Sequence, residues 1–175
     1  ASELPETGFA PGAVTRLPGQ PDNLTYSNAG NLWVEIPALD LRTAIVGVPL
    51  VDGKWDVSWL WNNVGWLEGS AFPGKPGNSA LSGHVVDANG NAGIFSRVDS
   101  LKWGDRVIVH AFNQQLIYEV RSVDRWVKPG NTGIIKHETL PWLTLITCHG
   151  YQPKDNSYQW RTAIRAVLVE TSVEK

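Results

Sequence analysis

Short extended segments alternate with turn residues from residue 31 onward, and this alternation limits the fold more than any other feature of the chain. The segments are rich in β-branched and aromatic residues, and they end at Gly, Pro, Asn or Asp. Many short strands at this spacing are typical of a closed barrel or a sandwich, whereas a βαβ fold needs long helical periods between its strands. The predicted strands are 32–37, 43–48, 79–86, 106–111, 115–120, 142–148 and 161–170.

Little helix is predicted around these strands. Residues 52–78 hold paired turn residues and predict one short helix around 57–61, and residues 94–101 predict a short helix or turn. The hairpin arm that begins at Gln115 is expected to run on to Val127, and the chain as a whole is expected to have roughly eight short strands.

The first thirty residues differ in composition from the remainder. Residues 1–30 are rich in Pro, Gly, Asn, Ser and Thr, which predicts a flexible extended arm. Residues 31–175 are expected to form one packed domain, because hydrophobic residues make up 42% of the chain and can supply a core.

Charge and hydropathy exclude several kinds of partner. Fifteen basic and seventeen acidic residues give a net charge of −2, without the basic patch that nucleic acids or acidic membranes require. No apolar run reaches the roughly 18–20 residues of a membrane helix. We therefore expect no nucleic acid partner, and membrane association only through an anchor outside this chain.

A single cysteine, Cys148, ends a strongly apolar predicted strand. One thiol forms no internal disulfide, and it acts as a nucleophile only when a base or a positive group favours the thiolate. The sequence offers His84, His110, His137 and His149 as partners. His84 lies near a turn, whereas His149 adjoins Cys148 and points to the opposite face of a strand.

Three segments in order resemble the motifs of the sortase family. Thr144-Leu145-Ile146-Thr147-Cys148 is similar to the family's nucleophile motif, Leu81-Ser82-Gly83-His84 to its histidine segment, and Trp160-Arg161 to the position of its arginine. The resemblance covers about residues 31–171. It implies an all-β, closed, roughly eight-stranded sortase-type barrel with short helices and long loops, and a cysteine transpeptidase with catalytic Cys148, His84 and Arg161.

The position of the catalytic arginine stays open, and the resemblance implies a groove that binds the substrate. Arg165 shares a strand face with Arg161 by simple counting, so it is the alternative arginine. Substrate-binding candidates are the loop 128–141 and five residues: Ser82, Trp142, Leu145, Ile146 and Thr147. No cofactor or metal is expected, because Asp87, Asp99 and Glu138 are scattered along the sequence.

Leu4-Pro5-Glu6-Thr7-Gly8 matches Leu-Pro-x-Thr-Gly, the sorting signal that sortases cleave between Thr and Gly. Three origins stay open: an engineered ligation tag, chance in a Pro-rich arm, or a native segment that enters a groove of its own or a neighbouring chain.

The resemblance implies partners and a place of action. The partners are surface proteins that bear the signal and an amine acceptor, at the extracellular face of a bacterial membrane. The alternatives are a Cys-His hydrolase and a non-catalytic Trp-rich barrel that binds peptides or glycans, since the chain has nine Trp.

Overall fold

The computed structural model describes residues 3–20 and 32–175. This part of the chain is all-β with three short 3₁₀ turns, Pro37–Leu39, Val98–Ser100 and Thr132–Ile135. The strands are β1 (Trp33–Ile36), β2 (Leu41–Val48), β3 (Leu50–Val51), β4 (Lys54–Trp55), β5 (Val64–Leu67), β6 (Gly77–Ser82), β7 (Arg106–Ala111), β8 (Gln114–Val127), β9 (Pro141–Gln152) and β10 (Ser157–Val173).

Eight of these strands close into a barrel in the order β1-β2-β5-β6-β9-β10-β8-β7, and β7 pairs back to β1. Most pairs are antiparallel, and β2–β5 and β6–β9 are parallel. Strands β3 and β4 form a separate small hairpin. The prediction of a closed, roughly eight-stranded barrel is confirmed, because eight strands pair in a closed ring. Closure leaves the main sheet without a free edge.

The apolar run of β9 is buried on both faces, which explains why residues 143–148 do not alternate with polar residues. Leu143 and Leu145 join the larger hydrophobic cluster with Val34, Val109 and Ile164. Ile146 belongs to a second cluster, which also contains Leu4 from the N-terminal residues. The strand that carries Cys148 is therefore held by apolar packing on both sides.

Several predicted boundaries differ from the structure. The helix around 57–61 is absent, and these residues form turns in which Trp61 has a positive φ of 55°. The strand predicted to end at 86 ends at Ser82, so His84 lies in the loop beyond it. The boundary near Asn31 lies outside the described residues.

The two strands at Cys148 are longer than predicted. Strand β9 continues past Cys148 to Gln152, because its ladder with β10 extends to the Ser157–Gln152 pair. Cys148 therefore lies within its strand, and Arg161 is the fifth residue of β10 and not the first.

Within residues 3–20 and 32–175, no helix is long and apolar enough to cross a membrane.

A buried asparagine joins β6, β9 and the loop between β8 and β9. The Asn78 side chain donates to the carbonyl of Ile134 at 2.8 Å and accepts from the Thr144 hydroxyl at 2.7 Å. Substituting one member of a buried pair costs stability because the other is left without a partner.

We therefore expect Asn78→Ala to lower the free energy of unfolding by about 1–3 kcal/mol, because it removes both hydrogen bonds of the Asn78 side chain and leaves the Thr144 hydroxyl and the Ile134 carbonyl only their long 3.4 Å contact with each other. Urea denaturation of the unaltered chain and of Asn78→Ala measures the difference in unfolding free energy. Asn91→Ala, at an exposed turn position, is the control variant. Equal losses in the two variants would contradict the structural role of Asn78.

Candidate active site

Cys148 lies in the middle of the barrel wall, between β6 and β10. Its strand neighbour across the β9–β10 ladder is Arg161, and only 2% of Cys148 is exposed. The sulfur accepts a hydrogen bond from the backbone N–H of Thr7 at 2.9 Å, and the Thr7 hydroxyl lies 3.4 Å away. The groups around the thiol thus come from β10 and from the N-terminal residues.

Burial raises the pKa of the Cys148 thiol to about 11. The Arg161 guanidinium and the hydrogen bonds from Thr7 act in the opposite direction, and the Glu6 carboxylate adds a small increase. Desolvation therefore outweighs the positive charge, and with the N-terminal residues in place the sulfur carries its proton at neutral pH.

His84 lies two residues beyond the end of β6 and is 1% exposed. Its Nε2 lies 2.8 Å from the carbonyl oxygen of Val57, which can only accept, so Nε2 carries the proton. Its Nδ1 is buried and has no hydrogen-bond partner within the described ranges. Nδ1 is thus the nitrogen that is free to take a proton.

The electrostatic environment keeps His84 neutral. Burial lowers the pKa of the imidazole, and the backbone of Val57, the backbone of Thr7 and the Asp87 carboxylate offset this only in part. The backbone at His84 is closely packed against Gly93. A Cβ on Gly93 would lie 2.2 Å from the His84 carbonyl oxygen, so only glycine fits at position 93. This close contact holds the loop that carries the imidazole.

The two candidate arginines have different surroundings. Arg161 is buried, and its Nε donates to the carbonyl of Pro5 at 3.0 Å, while another guanidinium nitrogen donates to the carbonyl of Tyr158 at 3.0 Å. Arg165 pairs with Glu138 at 2.8 Å and lies over the Trp142 ring at 4.4 Å. The β9–β10 ladder runs without a register shift from the Cys148–Arg161 pair to the Thr144–Arg165 pair, so the two arginines share a strand face as counting predicts. The register is what places Arg161 opposite the thiol.

Two of the remaining histidines have other partners. The His110 ring stacks on Trp33 with a centroid distance of 3.5 Å, and its Nδ1 contacts the Glu174 carboxylate. The His149 ring packs edge-on against Trp126 at 5.1 Å. No group of three or more His, Cys, Asp or Glu side chains in residues 3–20 and 32–175 is arranged to hold a metal ion.

The stretch Leu4–Phe9, here called the bound stretch, lies in the groove over Cys148. The N–H of Leu4 donates to the Pro129 carbonyl at 2.7 Å, and the carbonyl of Thr7 accepts from the Val85 N–H at 2.8 Å. Leu4 and Thr7 are 2% and 0% exposed. The five residues that match the sorting signal are therefore placed around the thiol by specific contacts.

Leu4 fills an apolar pocket beneath the loop between β8 and β9. Its neighbours in the second hydrophobic cluster come from several strands and from the 3₁₀ turn Thr132–Ile135. They include Val57, Trp59, Ala80, Val127, Ile146 and Ala163, with Ile134 and Ile135 at the edge.

The candidate groove residues fall in different places. Ile146 lies in the cluster with Leu4, and the Thr147 hydroxyl lies 3.5 Å from that of Thr7. Leu145 packs in the larger barrel cluster, and Trp142 lies against Arg165. Ser82 is fully buried, and its hydroxyl has no hydrogen-bond partner within the described part of the chain.

Sequence reasoning missed Tyr158 and Val85, which both contact the bound stretch. The Tyr158 N–H donates to the Glu6 carboxylate at 3.1 Å, and its hydroxyl donates to the Phe9 carbonyl at 2.8 Å. A Cβ on Gly8 would lie 2.8 Å from the Tyr158 ring and 2.9 Å from Val85. The strand pattern predicts β structure only from residue 161, whereas Tyr158 is the second residue of β10, so no sequence signal singled it out.

Comparison with known proteins agrees with this architecture. The family model of the Sortase domain matches residues 34–169. The structure resembles sortase C-1 from Actinomyces oris, with 30% identity, coverage of 79% of this chain and 73% of that chain, and a TM-score of 0.65. No curated protein sequence matches the chain significantly.

Two further solved structures share the fold. Sortase A from Corynebacterium diphtheriae, a lid mutant, has 28% identity, coverage of 80% of this chain and 70% of that chain, and a TM-score of 0.66. The Sortase D5 transpeptidase of Clostridium perfringens has 22% identity, coverage of 81% and 79%, and a TM-score of 0.63. These neighbours carry different sortase class letters, so the subfamily is not resolved.

We expect alkylation of Cys148 by iodoacetamide to be slow near neutral pH and to accelerate as the pH rises toward 11, because only the thiolate reacts. Leu4→Ala should raise the rate near neutral pH roughly tenfold or more, since the bound stretch loses its buried anchor. Mass spectrometry follows the modification.

Leu17→Ala is the matched control, because Leu17-Pro18 is a second Leu-Pro pair that is less buried than Leu4. Fast alkylation in the unaltered chain, with no effect of Leu4→Ala, would show that the bound stretch does not shield the thiol.

Proposed function

This chain belongs to the sortase family and is an enzyme of the cysteine transpeptidase type, and we propose that it cleaves Leu-Pro-x-Thr-Gly signals between Thr and Gly. The acyl group would pass to an amine at the cell surface, where sortases generally act in bacteria. Sortases in general take substrates that bear this signal and amine acceptors. Here the substrates would be surface proteins with the signal.

One observation carries this proposal: Leu4-Pro5-Glu6-Thr7-Gly8 lies in the groove with Thr7 against the Cys148 sulfur. Each position of the signal has a physical counterpart. The apolar cluster receives Leu4, Arg161 binds the Pro5 carbonyl, and Thr7 is fully buried. Glu6 is exposed and accepts a hydrogen bond from a backbone N–H, which suits a variable position.

The first chemical step would join Cys148 to the Thr carbonyl carbon. The thiol proton passes to Nδ1 of His84, and the sulfur attacks the carbonyl carbon. The oxyanion is stabilised by the N–H of Val85, which already donates to the Thr7 carbonyl oxygen. The C–N bond then breaks, and the imidazolium returns the proton to the departing glycine nitrogen, which leaves a thioester on Cys148.

Arg161 supports this step in two ways. It fixes the substrate backbone at the Pro5 position, two residues before the scissile bond. Its positive charge also lowers the pKa of Cys148, which favours the thiolate against the cost of burial. The guanidinium thus binds the Pro5 carbonyl, whereas the hydrogen bond to the Thr7 carbonyl comes from the Val85 N–H.

The second step needs an amine on the leaving side of the thioester. A cavity of about 390 Å³ opens there, lined by Gly8, Phe9, Asp56, Val57, His84 and Tyr158. His84 takes a proton from the incoming amine as it attacks the thioester carbon, and the Cys148 thiolate leaves. The product is a new amide, so the reaction is transfer.

We expect Cys148→Ala to abolish transfer of a Leu-Pro-Glu-Thr-Gly peptide to triglycine, because the acyl carrier is gone. His84→Ala should lower kcat/KM by about 10²–10⁴ through loss of proton transfer. Arg161→Ala should lower it by about 10²–10³ through loss of charge stabilisation. Chromatography of the peptide products measures each rate.

Arg165→Ala is the matched control, and its kcat/KM should stay within about threefold of that of the unaltered chain. Thermal melting verifies that each variant is folded. A large loss at Arg165 and none at Arg161 would exchange the two assignments. Release of the free acid at an unchanged rate in the presence of the amine would indicate a hydrolase. No product under any condition would favour a binding barrel.

We also expect strong selection for glycine after the Thr. A Leu-Pro-Glu-Thr-Ala peptide should react roughly 10–100-fold more slowly, because its methyl group would overlap the Tyr158 ring and Val85. Tyr158→Ala should narrow this ratio, whereas Tyr158→Phe should keep it, since the ring remains. Competition between the two peptides in one reaction measures the ratio, and an unchanged ratio in Tyr158→Ala would rule out this contact.

A further inference from the structure

We infer that the Thr7–Gly8 bond of this chain is itself a substrate of Cys148 in the same molecule, and that an acceptor amine captures residues 1–7 as an acyl group and so removes Leu4 to Thr7 from the groove. This inference rests on the proposed function and extends it to self-processing. It assigns the N-terminal residues an activity that the sequence match alone leaves open among a tag, chance and a native segment.

The residues before the scissile bond are held as an acyl donor. Leu4 is anchored in its apolar pocket and by the Pro129 carbonyl, and the Pro5 carbonyl accepts from Arg161. The backbone N–H of Thr7 reaches the sulfur at 2.9 Å, which leaves the adjoining carbonyl carbon within a short movement of the nucleophile.

The residues after the scissile bond are held as well. The Phe9 N–H donates to the Val86 carbonyl at 3.2 Å, and the Phe9 carbonyl accepts from the Tyr158 hydroxyl. Farther along, the Thr15 N–H donates to the Ala88 carbonyl at 2.6 Å. The imidazole of His84 lies beside this side of the bond, with its ring 4.9 Å from the Phe9 ring.

Glycine is required at the residue that provides the leaving nitrogen. A side chain at position 8 would overlap Tyr158 and Val85, whereas Gly8 fits between them. An unrelated Pro-rich arm has no reason to meet this restriction together with the Leu4 pocket and the buried Thr7. The fit on both sides of one bond therefore favours a segment built as a substrate.

The bonds formed and broken in self-cleavage balance, and the step needs no further reactant. The sulfur forms a bond to the Thr7 carbonyl carbon, the bond between that carbon and the Gly8 nitrogen breaks, and the thiol proton travels through His84 to Gly8. The products are a thioester of residues 1–7 on Cys148 and a new amino terminus at Gly8.

The Gly8 amine stays close to the thioester, because hydrogen bonds at Phe9 and Thr15 hold the shortened chain in the groove. A tethered amine has a high effective concentration, so it re-forms the original bond faster than water hydrolyses the thioester. Net loss of residues 1–7 requires an outside amine that captures the acyl group. The groove would thus open permanently only where an acceptor is present.

The test is intact-mass analysis of the purified chain with and without hydroxylamine or triglycine. With amine, a chain beginning at Gly8 and the amine adduct of residues 1–7 should accumulate, at a rate independent of protein concentration. Without amine, the chain should stay essentially full-length, and Cys148→Ala should stay full-length in both conditions. Thermal melting verifies that Cys148→Ala is folded.

Matched substitutions sharpen the result. Leu4→Ala should slow self-cleavage at least about tenfold and accelerate turnover of an external Leu-Pro-Glu-Thr-Gly peptide, because the groove is vacated. Leu17→Ala should leave both rates unchanged. Gly8→Ala should slow self-cleavage roughly 10–100-fold through the overlap with Tyr158.

The failures of the two proposals are distinguishable. External peptide turned over with amine, while the chain keeps residues 1–7, would overturn self-processing and leave the proposed function intact. Neither peptide nor chain cleaved, in folded protein, would overturn both. A self-cleavage rate that rises in proportion to protein concentration would overturn the assignment to the same molecule.

Discussion

The antiparallel ladder between β9 and β10 sets Cys148 directly opposite Arg161, and the groove chemistry depends on that register. Both strands are long, and each pairs on its other side with a further barrel strand, so neither can slide without breaking two ladders. A slip of one residue would turn Cys148 to the other face of the sheet. Closure of the barrel is what keeps the sulfur and the guanidinium together.

Desolvation is the second physical factor in the site. It raises the pKa of Cys148 and lowers that of His84, so the proton rests on sulfur and the imidazole is neutral. Much of that burial is contributed by the chain's own Leu4–Phe9, because Thr7 covers the sulfur directly. Occupancy of the groove and the protonation state of the nucleophile are therefore coupled: departure of the bound stretch would return water to the thiol.

The strand pattern predicted an all-β domain, either a barrel or a sandwich, because β-branched segments and turn residues act locally, and the resemblance to sortases implied the closed barrel. The strand pattern failed where tertiary contacts prevail over local preference. Residues 57–61 form turns and not the predicted short helix, and the Val57 carbonyl there faces the His84 imidazole. The ends of β9 and β10 were missed because their pairing with each other extends both strands into polar segments such as Tyr151 and Ser157.

The sequence by itself determined the residue types and their order: one thiol, a histidine after a small-residue segment, an arginine beyond the thiol, and a Leu-Pro-Glu-Thr-Gly match near the start. The pairing that sets Arg161, and not Arg165, opposite Cys148 came only from tertiary structure, since both arginines share a strand face and only the register with β9 distinguishes them. So did the contacts of Tyr158 and Val85 with Gly8, and the position of Thr7 on the sulfur. These are contacts between residues distant in the chain, and local sequence pattern carries no information about such distances until the barrel closes.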